Sequence, residues 1–407
     1  MVDFLELIPA EIAENIWTRL LQSDLNSAMR VSRAWARWTC PLLYSRTIDL
    51  DFERQWLMLI RTVLSHPDLA LLIRNLCFYR TFDVPEGEEP IPIQLLRFLP
   101  RIRTLDSWTK IDLAVLFKLH TISDHELNHP VGFSLDHLTT FWAGGEPQNA
   151  AKVARLWALP AMRNLRVYIF LPYNPACRLH NLSGWPVSYT LRYLLLKAAL
   201  RDGSWLSHIL ECSPNLEVVS LGFFPGTLPT AYDFSTWWQG LSRISSSLRQ
   251  LQIAAALLIP EERDSSEVVQ IKGPLSTFQG FPRLHTLEVP IVMLLGWDPR
   301  QAPQLVDVLP PFLQTLKLTA VFRDELLNTE FTRVDPSLWA WDNAAVGAQL
   351  KTLFTGINHT QSTLRSVGYN NLYGEEWDVE DIQLLTHLAR EAGIDFEVYN
   401  DDNLCYF

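Results

Sequence analysis

The chain has 407 residues, of which 48% are hydrophobic and 19% charged, and its formal net charge is -11 at pH 7. This composition is that of a folded globular protein and excludes an intrinsically disordered chain. The negative charge argues against a nucleic-acid partner, because contact with a phosphate backbone requires a basic surface.

The first predicted element is an amphipathic helix that opens at Ile8 and Pro9. Ile12, Ile16 and Leu20 follow at intervals of four, which places them on one face of a helix. Pro9 suits the first helical turn, because its missing N–H would have no partner there.

Two further short helices are predicted before residue 45. Ser23 or Asp24 can cap the second helix, which contains Leu25, and Ser32 can cap the third. Three helices in about forty residues bury too little surface to be stable alone. We therefore expect this segment to have an obligate partner.

Taken together, this segment resembles the F-box, the module by which substrate receptors attach to the Skp adaptor of Skp–cullin–F-box ubiquitin ligases. The resembling positions are Ile8-Pro9-Ala10-Glu11-Ile12, Ile16, Leu20, Asp24-Leu25, Val31-Ser32 and Trp35. Runs similar to that from Pro41 to Tyr44, continuing into residues 47–50, are also common in fungal F-box proteins. Ile8 departs from the leucine that is usual before the proline. The alternative is a three-helix cap on the domain that follows.

The resemblance implies an F-box over residues 1–50, followed by a linker helix over residues 51–70. It also implies the residues that contact the Skp adaptor or support the helices that do so: Ile8, Pro9, Ile12, Ile16, Leu20, Leu25, Val31 and Trp35.

Residues 71–400 carry a recurring pattern of an apolar residue, two variable ones, an apolar residue, a variable one and another apolar residue. Most copies lie about 25 to 36 residues apart, near and above the leucine-rich-repeat range. The inner apolar residues begin at Ile73, Ile102, Leu138, Leu165, Leu191, Leu216, Leu248, Leu284, Leu313 and Leu364. A last strand is predicted over residues 394–398, and residues 401–407 form a tail.

The alternation with a period of two predicts strands whose every second side chain enters the core. Helical spacing at residues 149–157, 203–210 and 379–392 predicts helices between strands. The fold class is therefore α/β, and the pattern resembles the degenerate leucine-rich repeats of fungal F-box proteins. The resemblance implies an irregular solenoid with a curved parallel sheet. The alternative is an ordinary α/β sheet.

The outward strand positions contain a candidate substrate-binding face. In the first half of the repeats these positions are mainly aromatic or apolar, as at Val167, and in the later strands they are polar. An exposed apolar patch often marks a binding site, but loops folded over this face would make it core instead. The predicted substrate-binding residues are Trp108, Trp142, Tyr193, Lys197, Trp339 and Trp341.

One catalytic pattern occurs, the HExxH string from His125 to His129. Zinc enzymes with this motif need both histidines on one helical face. Pro130 disfavours a helical conformation at His129, so the helix would end at the second ligand. The acidic neighbours of Cys405 would raise its pKa rather than activate it. We therefore expect neither an enzyme nor a metal or cofactor site.

The remaining sequence features concern the cellular compartment in which the protein is expected. Five cysteines are scattered without a CxxC pair, which favours reduced thiols in the cytoplasm or nucleus. No apolar run approaches the ~18 residues that a membrane span needs, and the N-terminus lacks the pattern of a secretory signal. We therefore expect cytoplasmic or nuclear localisation and no membrane partner.

The F-box resemblance implies a substrate-recognition subunit that binds the Skp adaptor and, through it, a cullin. The solenoid would then bind a protein substrate that the sequence does not identify. Two alternatives remain at this point, a non-catalytic adaptor-bound scaffold without ubiquitination substrates and a zinc hydrolase built on His125 and His129.

Overall fold

The protein is described by a computed structural model. The described residues are 9–50, 52–78, 91–107, 113, 116–117, 134–143, 148–170, 184–199, 204–224, 231–233, 235–255, 270–272, 277–296, 298–319, 341–357, 363–370 and 377–399. The chain forms two compact units, Met1–Glu146 with Leu159–Arg166 and Pro147–Ala158 with Val167–Phe407. Both units are of the α/β class and contain parallel strands, which confirms the predicted fold class at this level.

The elements are numbered in chain order. The helices of the described residues are α1 (Ala10–Arg19), α2 (Gln22–Ala28), α3 (Arg33–Ser45), α4 (Glu53–Ser65), α5 (Pro67–Ala70), α6 (Ile91–Leu96), α7 (Ala150–Trp157), α8 (Ser204–Glu211), α9 (Ser235–Arg243), α10 (Ile291–Leu295), α11 (Leu305–Val308), α12 (Asn343–Gly356) and α13 (Val379–Glu391). A 3-10 helix spans Phe278–Gly280.

The strands of the described residues are β1 (Thr47–Leu50), β2 (Asn75–Phe78), β3 (Thr104–Ser107), β4 (Thr140–Ala143), β5 (Gln148–Asn149), β6 (Asn164–Phe170), β7 (Tyr193–Ala199), β8 (Val218–Phe224), β9 (Ala231–Asp233), β10 (Gln250–Ala255), β11 (Gln270–Lys272), β12 (Thr286–Pro290), β13 (Thr315–Thr319), β14 (Ser366–Asn370) and β15 (Asp395–Tyr399).

The predicted helices α1 to α3 are present, but two of their starts differ from the prediction. Pro9 precedes α1 as its N-cap instead of occupying its first turn. Helix α2 begins at Gln22, so the cap predicted at Ser23 or Asp24 is wrong in position. The Asp24 carboxylate instead accepts a hydrogen bond from the Leu21 N–H at 3.4 Å, which satisfies a free donor from inside the first turn. The Ser32 cap is confirmed, since its hydroxyl accepts from the Trp35 N–H at 3.2 Å.

In the first unit, strands β1, β2, β3, β4 and the start of β6 pair in parallel and in one register. The aligned residues are Thr47, Asn75, Thr104, Thr140 and Asn164. The residues of 47–50, which the sequence grouped with the end of the F-box-like segment, form the first strand of this sheet. The three-helix segment therefore leads directly into the repeats.

The register of β6 corrects one prediction. Leu165 pairs with Phe141 and is therefore the second inner residue of its copy, whereas the sequence pattern took it as the first. Met162 is the first inner residue, and it is fully buried. Val167, predicted to face outward, is only 1% exposed and belongs to the core. The error arose because apolar residues at both parities follow Leu165, so the pattern fits two registers.

In the second unit, strands β7, β8, β10, β12, β13, β14 and β15 follow one another in the sheet. The second predicted inner residue of five successive copies meets its neighbours in register and is at most 1% exposed: Val219, Leu251, Leu287, Leu316 and Val367. Burial of such a column on every strand is the main source of stability, at about 25 cal/mol for each Å² of apolar surface removed from water. Strands β9 and β11 form a separate two-stranded pair.

The helices predicted between strands are confirmed as α7, α8 and α13, and the predicted last strand is β15. The Asp378 carboxylate accepts from the Glu380 N–H at 2.9 Å and so caps α13. Acidic residues in its first turn are also favoured by the helix dipole.

Helices α8 and α9 pack closely against each other at Gly240. A Cβ atom at Gly240 would lie 2.5 Å from the Ser207 Cα, which requires the two helix backbones to separate. We expect Gly240→Ala to lower the free energy of unfolding by about 1–3 kcal/mol in urea denaturation. The matched control is Gly347→Ala on α12, where the new Cβ would lie 3.6 Å from the Trp377 ring. The control should be neutral or stabilising by up to about 1 kcal/mol, because alanine favours the helix. Equal effects of the two substitutions would contradict this account.

Candidate functional site

The three N-terminal helices share a very small core. Its buried members are Trp17, Leu25 and Ala28, against which the partly buried Leu20, Trp35, Leu42 and Leu43 pack. The rings of Trp17 and Trp35 meet edge to face, with their centroids 4.9 Å apart. Such an arrangement is favoured by the quadrupoles of the rings. Leu20, Leu25 and Trp35, which were predicted to contact the adaptor or to support the helices that do so, therefore pack in this core.

Other apolar side chains of the same helices are exposed to solvent. The exposed fractions are 53% for Ile12, 46% for Ile16, 69% for Leu21, 62% for Val31 and 42% for Trp38. We call these five residues the exposed apolar set. Ile12 and Ile16 are four residues apart on α1 and lie on one face of it.

The structure thus divides the predicted adaptor-binding residues into two groups. Ile12, Ile16 and Val31 are exposed, and so is Pro9 at the start of α1. Ile8 lies outside the described residues. Leu21 and Trp38 are also exposed but were not among the predicted residues, since Leu21 ends the first apolar run and Trp38 follows three residues after Trp35, which matches the motif.

Arg46 joins the three helices to the sheet, a role that the sequence did not reveal. Its guanidinium donates hydrogen bonds to the carbonyl oxygens of Trp17 at 3.1 Å and Thr18 at 2.5 Å, and also to that of Leu20. These carbonyls are at the C-terminal end of α1, where a helix has free acceptors and a partial negative charge. Arg46 directly precedes β1, so the end of α1 is fixed to the first strand.

The candidate substrate-binding face divides between the two units. Trp142, in the first unit, is half-buried, and the guanidinium carbon of Arg166 lies 5.5 Å from the centroid of its ring. Trp142 and Arg166 are paired across β4 and β6. Arg166 was missed as an outward residue because the predicted register of β6 was wrong.

In the second unit, Tyr193 and Lys197 are half-buried on the same side of β7. Trp341 is buried, and its indole N–H donates to the Gly296 carbonyl at 2.7 Å, so it has a packing role. Trp108 and Trp339 lie outside the described residues.

A row of polar side chains crosses the outward face of the second unit. We call Ser220, Gln252, Glu288 and Lys317 the outer polar row. The Ser220 hydroxyl donates to the Gln252 Oε1 at 2.9 Å, and the Gln252 Nε2 donates to the Glu288 Oε1 at 3.0 Å. The Lys317 Nζ is 3.9 Å from the Glu288 Oε2. The four residues are consecutive register partners on β8, β10, β12 and β13.

The outer polar row compensates the buried charge of Glu288. Glu288 is only 7% exposed, and a buried carboxylate is destabilising unless hydrogen bonds and an opposite charge compensate it. Gln252 supplies a hydrogen bond and the more exposed Lys317 supplies the charge. The polar character of the outward positions in the later strands was predicted, but the connection between them was not, because it depends on the register.

The described residues contain no cluster suited to a metal ion, and two of their three cysteines have thiols that are not activated. Burial, assisted by Asp68, raises the pKa of the Cys40 thiol, and burial, assisted by Glu211, raises that of Cys212. Among the described residues no group of three or more His, Cys, Asp or Glu side chains could hold a metal. His125, His129 and Cys405 lie outside them.

Comparisons with known proteins assign no family. Neither the scan against protein-family models nor the search of curated proteins gave a match. None of the helices in the described ranges has the length and apolar character needed to cross a bilayer.

Gln252 is the residue on which the outer polar row depends. We expect Gln252→Met to reduce the free energy of unfolding by about 1–3 kcal/mol, because Ser220 and the buried Glu288 each lose a partner. Gln250→Met on the same strand is the control, since Gln250 is exposed. Urea denaturation of both variants measures the difference, and a change of less than about 0.5 kcal/mol at both positions would refute the role of Gln252.

Proposed function

We propose that the chain is the substrate-recognition subunit of a Skp–cullin–F-box type ubiquitin ligase. Residues 1–50 would act as the F-box that binds the Skp adaptor and, through it, the cullin. The repeat-containing remainder, an irregular leucine-rich-repeat-like solenoid in this proposal, would bind a protein substrate. The chain would be non-catalytic, holding a target lysine near the thioester of a recruited ubiquitin-conjugating enzyme.

The exposed apolar set carries this proposal. The three N-terminal helices, whose shared buried core consists of Trp17, Leu25 and Ala28, nevertheless leave five large apolar side chains in water. Concentrated exposure of this kind is typical of a protein-binding surface. The exposed residues include Ile12, Ile16 and Val31, which are positions at which the sequence resembles an F-box.

The adaptor interface is tested by changing two of its exposed residues. We expect Pro9→Ala with Ile12→Asp to abolish binding to a purified Skp adaptor in calorimetry. A carboxylate at Ile12 would have to be buried without a partner in the complex, whereas in the free chain it would remain in water. The variant should therefore keep the unfolding midpoint of the unchanged protein.

The control for this experiment is Val379→Asp, which places the same charge at an exposed apolar residue of the second unit. It should bind the adaptor like the unchanged protein. Point variants are preferable to removal of residues 1–45, because such a truncation would also remove the carbonyls that Arg46 contacts. Retained binding by the folded double variant would refute the F-box assignment.

Substrate recognition is tested with Trp142→Ala and Tyr193→Ala. We expect affinity purification of each variant to recover the adaptor but to lose at least one specific partner, which mass spectrometry identifies. Tyr189→Ala is the control, because Tyr189 is exposed outside the strands. Unchanged partner sets in both variants would show that the substrate site lies elsewhere.

The half-life of such a partner separates a receptor from a scaffold. A ubiquitination substrate should accumulate and be degraded more slowly when the chain is deleted. A partner whose half-life is unaffected would favour the adaptor-bound scaffold.

A further inference from the structure

The first unit has a row of arginines at one end of its strands. In each strand the residue before the first paired position stands at the N-terminal rim of the sheet. We call Arg46, Arg74, Arg103, Thr139 and Arg163 the rim row. Four of these five successive positions are arginine.

Backbone hydrogen bonds fix the rim row in place. The Arg74 carbonyl accepts from the N–H groups of Arg103 at 2.7 Å and Thr104 at 3.0 Å. The Arg103 carbonyl accepts in the same way from Thr139 and Thr140, and the Thr139 carbonyl accepts from Arg163 and Asn164. Neighbouring rim positions are therefore about one strand spacing apart, or ~4.8 Å.

Among the described residues, partners for the guanidinium are present at Arg46 alone of the four arginines. Arg46 caps α1, as described above. Within the described part of the chain, Arg74, Arg103 and Arg163 form no ion pair and no side-chain hydrogen bond; Arg103 and Arg163 are exposed and Arg74 is half-buried. Asp136 is an acid that precedes the rim residue of β4, and its carboxylate accepts from the Ser134 hydroxyl at 3.0 Å.

At the same position of three neighbouring strands in the second unit, the arginines have an acidic partner. There the rim residues of β7, β8 and β10 are Arg192, Glu217 and Arg249. The Glu217 carboxylate lies 3.7 Å from the Arg192 Nε and 3.4 Å from the Arg249 Nε. Charges therefore alternate over Arg192, Glu217 and Arg249, so a run of arginines at the rim is not a requirement of the repeat.

Like charges at this separation repel each other, and a bound anion would remove the repulsion. The guanidinium group is also suited to a carboxylate, which it can bind through two parallel hydrogen bonds. A single exposed pair contributes little, but several pairs formed by one ligand act together.

We propose that Arg74, Arg103 and Arg163 form a binding surface for an Asp- and Glu-rich segment of a partner protein. The row is linear, and three strand spacings separate its ends, or ~14 Å. About five residues of extended peptide cover that distance. A lone phosphate would require converging arginines, and the net charge of -11 opposes the long phosphate backbone of a nucleic acid.

The test compares two triple variants that remove the same number of charges. One replaces Arg74, Arg103 and Arg163 by Gln. The control replaces Arg283, Arg365 and Arg390, three exposed arginines of the second unit that form no ion pair within the described residues, by Gln. The probe is a fluorescein-labelled peptide of about twelve alternating Glu and Ser residues, and fluorescence anisotropy is read at low ionic strength, where surface charges are least screened. Circular dichroism and thermal unfolding verify that both variants fold.

We expect the peptide to bind the unchanged protein, and the rim variant to bind it about tenfold more weakly. The control should remain within about twofold of the unchanged protein, and a peptide with Gln in place of Glu should not bind. Equal losses in the two triple variants, or equal binding of the Gln peptide, would overturn the proposal. Tighter binding of a single-phosphoserine peptide or of an oligonucleotide at the same arginines would also overturn it, by assigning the surface to a different ligand. The experiment contains no Skp adaptor, so its outcome is independent of the proposed ligase function.

Discussion

In-register stacking of parallel strands is the constraint on which the rest of each unit depends. Because equivalent positions of successive repeats lie about 4.8 Å apart, every residue of a strand meets its own counterparts on both sides. The inner column must therefore be apolar throughout, as from Val219 to Val367. The outward and rim positions form columns of their own, in which opposite charges meet at Glu217 and at Glu288.

The three N-terminal helices depend on this sheet as well as on one another. Their shared core is too small to account for their stability alone. Arg46 supplies a further connection, because it caps α1 and directly precedes the first strand. Because Arg46 fixes the helices to the sheet, their exposed apolar side chains are not needed in the core and can remain in water.

Much of this arrangement could be predicted from the sequence, and the failures have definite physical causes. A period of two identifies strands and their inner residues, since burial imposes it on every copy. It does not fix register where apolar residues of both parities occur, as at Leu165 and Val167. Contacts between side chains of neighbouring strands, such as that of Gln252 with Glu288, can be predicted only once the register is known. The carbonyls that Arg46 caps at the end of α1 lie 26 to 29 residues earlier in the chain, so no local sequence pattern indicates this contact. Of the predicted substrate-binding residues, Trp108 and Trp339 lie outside the described part of the chain.

The outer polar row also has an evolutionary consequence. Gln252 and Glu288 are 36 residues apart in the chain, yet they share one hydrogen bond, and Glu288 in turn is compensated by Lys317. A lineage that loses the carboxylate at Glu288 no longer needs the ammonium group at Lys317, and retaining it alone would leave an unmatched charge. Substitutions at these positions should therefore be inherited together, so that covariation in related sequences would trace the strand register without any structure.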